Sequence, residues 1–237
     1  MKAPAGLLPD AITSIGLLAG CLSLVSAVSG QLSRGAWMIG VSIACDIADG
    51  FVARSTHSAS QFGLEFDSLS DVVAFGAAPA TLAYAWALAP LHVWAALVVG
   101  AFVICAALRL ARFNIQTETP GGKKRFVGLP VPGAAAMIAG GFLGCSYFRF
   151  DSPHALSAAT TALMLALAAL MVSSLPYPSI KEVDPASLKS VSAITLILFG
   201  MVLLVALPEL SAMVAATGYL LSGPLLLAFG QDIKGKQ

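Results

Sequence analysis

Eight residues between positions 46 and 71 carry the chemistry of this chain. They are Asp46, Asp49, Gly50, Ala53, Arg54, Gly63, Asp67 and Asp71, spaced D-x2-D-G-x2-A-R-x8-G-x3-D-x3-D. Four carboxylates thus fall in a stretch otherwise apolar enough to enter a bilayer. An acidic side chain there costs several kcal/mol unless something compensates it, which marks a functional site. Crowded together, the four would repel one another. Two divalent cations relieve the repulsion, and an all-oxygen donor set favours Mg²⁺, Mn²⁺ or Ca²⁺ over zinc. Paired cations suit phosphoryl chemistry, because they neutralise phosphate oxygens and stabilise the leaving group. Arg54 adds a fixed positive charge for a phosphate. The bland alternative makes these acids helix-end groups facing water or pairing with Arg54, but three interleaved small residues argue against it. A cation transporter is the rival from another class, since transporters also hold intramembrane carboxylates. Against it, the acids gather at one membrane face, with no matching polar residues deeper in the other segments.

Helices must position these groups. At 100° per residue, Asp46, Asp49, Gly50 and Ala53 occupy an arc of about 100°, and Gly63, Asp67 and Asp71 one of about 80°. The two segments are joined by a short loop, so the acidic faces can meet. Gly50, Ala53 and Gly63 leave room for a backbone or a ligand to come close.

The composition agrees with a membrane setting. The chain is 58% hydrophobic and 11% charged, against roughly 25% charged in ordinary soluble domains, and its mean hydropathy is +0.87. Apolar runs long enough to cross the hydrocarbon core lie near 10–29, 35–54, 64–87, 92–112, 132–148, 155–175, 190–207 and 210–230. The expected fold is therefore all-α: a polytopic transmembrane bundle of about eight helices, with the whole chain, 1–237, forming one integral membrane domain. The first run follows a lone Lys2 with no small-residue cleavage site, so it reads as a membrane helix and not a removed signal. Cys21, Cys45, Cys105 and Cys145 each sit in an apolar run without paired spacing and read as small core residues.

The 13 basic residues set the orientation by the positive-inside rule. With eight alternating helices and both termini cytoplasmic, Lys2, Arg54, Arg109, Arg112, Lys123, Lys124, Arg125, Lys181, Lys189, Lys234 and Lys236 fall inside. Only Arg34 and Arg149 fall outside. This places the acidic motif at the cytoplasmic ends of the second and third helices. Arg109 and Arg112, three apart, share a helix face near the same surface. They either anchor on lipid phosphates by snorkelling or grip an anionic substrate group. His57, His92 and His154 have no partner at metal-ligand spacing.

The eight fixed positions resemble the signature of the CDP-alcohol phosphotransferases, integral membrane enzymes that move a phosphatidyl or similar group from a CDP-linked donor to an alcohol. At roughly one in fifteen per position, chance agreement is on the order of 10⁻⁹ per starting point. Three further stretches resemble the phosphatidylserine-forming subfamily of bacteria and archaea: FDSLSDVVAFGAAPA at 66–80, RLARFN at 109–114 followed by FVGLPVP at 126–132, and PYPSIK at 176–181. The resemblance covers about 8–181, a six-helix core over 1–181, and leaves two additional C-terminal membrane helices over 190–230. Asp10 departs from it, since many relatives carry Asn there.

The resemblance implies that Asp46, Asp49 and Asp67 bind metal, and that Asp71 helps hold a second ion and is the general base. It implies two divalent cations, Mg²⁺ or Mn²⁺. Gly50, Arg54, Ser60 and Thr13 would contact the CDP portion of CDP-diacylglycerol, with Arg109 and Arg112 gripping the serine carboxylate or a donor phosphate. The expected reaction transfers the phosphatidyl group to the hydroxyl of L-serine and releases CMP. Glycerol phosphate, inositol phosphate or choline are the alternative acceptors. The resemblance further implies a homodimer among membrane lipids, in a bacterial plasma membrane with its site at the cytoplasmic face. No nucleic-acid partner is expected.

Overall fold

The computed structural model describes residues 7–56, 58, 60–118, 128–150, 152–175 and 207–228, and among these every regular element is helical. In chain order they are α1 (Leu7–Val28), α2 (Leu32–Ser55), α3 (Gln61–Leu91), α4 (Val93–Glu118), α5 (Val131–Tyr147), α6 (Pro153–Val172) and α7 (Pro208–Ala228). Five of them, α1 to α4 and α6, are long and apolar enough to cross a membrane, and α5 is a shorter apolar helix. The segment expected at 190–207 lies, but for its last residue, outside the described residues, as do the 176–181 stretch, His57 and the basic cluster at 123–125.

Small residues decide how α1 and α2 meet. The buried positions of α1 are Pro9, Thr13, Gly16, Ala19, Gly20, Ser23, Ser26 and Ala27, a stripe that recurs every three or four residues. In lipid there is no hydrophobic drive between helices, so association rests on close backbone packing and interhelical hydrogen bonds. Both are present: Ser42 Oγ donates to the Gly16 carbonyl at 2.7 Å, and Ser23 Oγ to the Gly35 carbonyl at 2.9 Å. α1 ends at Gly30, whose φ of +76° lets its N–H reach Ala27 O while the Gln31 N–H reaches Ser26 O. This is the left-handed cap that glycine serves best.

α3 is the central helix, with 56% of its apolar window buried against 22–39% for the other four membrane-length helices. At 31 residues it is roughly 46 Å long. That exceeds the roughly 30 Å hydrocarbon core, so one end extends toward the headgroups. Its helix is not uniform. Residues Val72–Ala77 and Tyr84–Leu88 form widened π-helical turns. The first ends just before Pro79, which has no N–H to donate and whose ring would crowd a normal turn. Around α3 the core is closed by Phe75, Phe102, Ile39, Leu82, Leu88, Leu129, Ile138 and Met164, all fully buried.

α7 packs on α5 through Gly133, Gly140 and Gly144. A Cβ at Gly140 would stand 2.9 Å from the Ala212 carbonyl oxygen, and one at Gly133 2.7 Å from the Tyr219 ring. At the other end of α6, Gly128 (φ +88°) donates its N–H to Leu175 O at 2.8 Å, and Leu129 N–H bonds Leu170 O at 3.0 Å.

Candidate active site at the ends of the first three helices

The acidic faces of α2 and α3 do meet, across a pocket at the ends of the two helices and not by direct contact there. Gln61–Asp71 has scarcely any backbone contact with α2, while α1 packs against both. The two helices therefore splay at their motif ends, where α1 packs against both, and close on each other farther along, where Leu82 Cδ1 would lie 3.6 Å from a Cβ at Gly35. The gap so formed is a pocket lined by Asp46, Asp49, Asp67 and Asp71, together with Thr13, Gly16, Ser42 and Ser70.

Asp46, Asp49 and Asp67 each offer a carboxylate oxygen, and the three oxygens lie within 4.8 Å of one another. A hard divalent cation with oxygen ligands at about 2.0–2.6 Å spans about 4–5 Å between opposite donors. The donor set and its spacing fit such an ion. Asp49 is buried, whereas Asp46 and Asp67 are half-buried. Asp49 is also fixed from α1: the single hydroxyl proton of Thr13 has two acceptors, Asp49 Oδ2 at 2.6 Å and the Pro9 carbonyl at 3.1 Å, the carboxylate being the nearer. Asp71 stands outside the triad of oxygens but in the same pocket, one turn farther along α3 and only 9% exposed.

The glycines of the motif have separate tasks. A Cβ at Gly50 would meet Arg54 Nη1 at 3.2 Å, so the exposed guanidinium lies over a bare stretch of α2 beside the acids. Gly63 admits a residue from α1, with Asp10 Oδ1 only 3.0 Å from the position a Cβ would take. Ser60 is the N-cap of α3; its Oγ accepts the Gly63 N–H at 2.9 Å, one of the backbone donors that a helix start otherwise leaves unpaired.

The structure separates the two arginines. Arg109 is half-buried, stands within electrostatic range of Asp71 and Asp46, and carries its guanidinium 5.4 Å from the centre of the Phe113 ring. Arg112 is exposed and turns away; its Nη1 donates to the Val172 carbonyl at 3.5 Å, at the C-terminal end of α6 where a cation complements the helix dipole. Of the residues singled out from sequence, Asp46, Asp49, Asp67, Asp71 and Thr13 gather in one pocket with Arg109 in range. Gly50 and Arg54 stand together on the adjoining stretch of α2, Ser60 marks the start of α3, and Arg112 reaches another helix.

Two contacts escaped the sequence reading. One is Asp10 beside Gly63. The other joins Ser68 on α3 to Asn114 on α4, whose Nδ2 donates to Ser68 Oγ at 2.9 Å. An amide directly after RLARF was the available signal, but nothing local names its partner 46 residues away.

Comparison with known proteins bears on this geometry. The model of the CDP-alcohol phosphatidyltransferase family matches residues 6–223. A CDP-diacylglycerol–serine O-phosphatidyltransferase of Helicobacter pylori is 38% identical over 184 residues, 76% of this chain and 75% of that protein. An archaetidylserine synthase of Methanothermobacter thermautotrophicus is 36% identical over 175 residues, 73% of this chain and 70% of its own length. A CDP-diacylglycerol–serine O-phosphatidyltransferase of Bacillus subtilis is 32% identical over 184 residues, covering 77% of this chain and 96% of that protein. With the family model spanning nearly its full length and the acidic pocket assembled from the signature residues, this chain belongs to the CDP-alcohol phosphatidyltransferase family.

Proposed function

We propose that this protein transfers the phosphatidyl group of CDP-diacylglycerol to the hydroxyl of L-serine, releasing CMP. The observation that carries the reading is the convergence of the Asp46–Asp49–Asp67 oxygens beside buried Asp71, in a chain whose relatives include serine O-phosphatidyltransferases. Asp46, Asp49 and Asp67 would hold a divalent cation, with Asp71 contributing to a second. Mg²⁺ or Mn²⁺ bound there supplies charge neutralisation on the donor's diphosphate and on departing CMP.

The chain's own groups do the rest. Asp71 takes the proton from the serine hydroxyl, a poor nucleophile at neutral pH without a placed base. The freed oxygen forms a bond to the phosphorus bearing diacylglycerol. The phosphoanhydride bond to CMP breaks, and CMP leaves with the electron pair. Gly50 lets the donor approach α2, and Arg54 offers its guanidinium to a phosphate. Thr13 holds Asp49 in place from the pocket wall, and Ser60 orders the start of α3 at the mouth. Arg109, near Asp71, pairs with the serine carboxylate, for which a guanidinium fork is well shaped.

The proposal includes a site at the cytoplasmic face of a bacterial plasma membrane, with both termini inside, and a homodimer. Incubating the purified protein with CDP-diacylglycerol and a panel of alcohols tests the acceptor. Serine is expected to release CMP at least tenfold faster than glycerol phosphate, inositol phosphate or choline. Sizing in detergent tests the dimer.

A further inference from the structure

Ser68 and Asn114 form a directional contact that ties the C-terminal part of α4 to α3. Asn114 Nδ2 donates to Ser68 Oγ at 2.9 Å, and the single hydroxyl proton of Ser68 has two acceptors, Asn114 Oδ1 at 3.2 Å and the Leu64 carbonyl at 3.0 Å. Both side chains are half-buried, so the pair is sheltered from competing water and its loss would be felt.

Its place in the register gives it meaning. α3 and α4 are consecutive helices that reverse direction around His92, which has a φ of +49°. From Ser68 to Asp71 is a rise of about 4.5 Å along α3, and from Asn114 back to Arg109 one of about 7.5 Å in the same direction along α4. The pair therefore sits about one turn below the level of Arg109 and Asp71, which stand within electrostatic range of each other. Farther along, α4 meets α3 where Ala106 and Val103 flank Gly76, at 3.6 and 3.9 Å from where a Cβ would stand. Apolar contacts of this kind fill space but do not fix a sliding register. A reciprocal serine–amide pair does.

We infer that Ser68 and Asn114 are positioning residues that set Arg109 against Asp71 and thereby shape the acceptor pocket for an amino acid's carboxylate. The inference rests on the proposed serine reading. It makes the pair a determinant of acceptor binding and selectivity while leaving the donor and cation side, built on α1, α2 and the start of α3, untouched.

The test compares Ser68→Ala, Asn114→Ala, their double variant, and the exchanged pair Ser68→Asn with Asn114→Ser, each shown to be folded by its melting curve in detergent. The KM for serine is expected to rise about tenfold in each alanine variant and no further in the double. The exchanged pair is expected to recover part of the loss. The donor KM and the Mg²⁺ concentration for half activity are expected to stay within twofold. Preference for serine over ethanolamine, which lacks the carboxylate, is expected to shrink, as is the upward shift in melting temperature that serine gives the wild type. Serine KM unchanged in the folded variants, or donor KM rising in step with it, overturns the inference. A wild-type protein that ignores serine but transfers to another alcohol defeats the acceptor reading instead. The pair is then judged by the same split measured with that alcohol.

Discussion

Thr13 on α1 donates its hydroxyl to Asp49 on α2 across 2.6 Å. The bond links the helix that lines one wall of the pocket to the most deeply buried member of the acidic triad. A hydrogen bond to a charged group is worth about 1.5–3 kcal/mol, so its removal should leave Asp49 poorly aimed. Thr13→Val keeps the volume and removes the donor. Cation activation is expected to weaken about ten- to hundredfold in that variant and to return in Thr13→Ser. Titrating Mg²⁺ against CMP release reads this directly, and an unaltered titration in a folded Thr13→Val protein would mean that Asp49 is held by other contacts.

Asp71 is expected to act as a base more than as a ligand, since it stands apart from the three-oxygen cluster while lining the same pocket. Asp71→Asn keeps the size and one oxygen acceptor but cannot take a proton. Turnover is expected to drop by about 10²- to 10⁴-fold, with binding of CDP-diacylglycerol changed only modestly. Saturating Mg²⁺ or Mn²⁺ separates the roles: if excess cation restores most of the rate, Asp71 is chiefly a ligand.

Gly20 sets how near α3 can come to α1. A Cβ there would lie 2.8 Å from both Cα and Cβ of Ala74, one turn beyond Ser70 and Asp71. Overpacking of this kind costs about 1–3 kcal/mol. Gly20→Ala is expected to lower the melting temperature and the rate together, and Gly20→Val to abolish activity. Gly40→Ala is the control, since nothing lies within 4 Å of the added carbon. Equal behaviour of Gly20→Ala and Gly40→Ala would show that the α1–α3 contact has slack.

The charge asymmetry expects residue 123 on the cytoplasmic side and residue 149 on the other. In a background without native cysteines, Lys123→Cys should be labelled by an impermeant reagent only after the membrane is opened, and Arg149→Cys in intact cells. The reverse pattern would move the site to the outer face.

The sequence made the acidic motif legible because carboxylates are rare in apolar helices, and a 3.6-residue period puts each set on one face. It also showed the run of apolar helices and, for the six that can be compared before α7, their order and approximate ends. Periodicity names a face but not what faces it. The meeting of the two acidic faces was expected; that α1 would line the pocket between them was not legible. For the same reason Thr13 gave no hint of Asp49, 36 residues away, nor Arg112 of the α6 carbonyl at Val172, 60 away. The widened turns in α3 were hidden as well. The first of them answers to the buried Pro79 and the packing around it.

The central claim is cation-dependent phosphatidyl transfer to serine, and one assay meets it directly: purified protein, CDP-diacylglycerol and serine, with CMP and phosphatidylserine measured together before and after chelation. The account expects equal amounts of both products, loss of both in EDTA, recovery with Mg²⁺ or Mn²⁺, and a fall of orders of magnitude in folded Asp46→Asn and Asp67→Asn. CMP release that persists in EDTA, or that survives both substitutions, would contradict it.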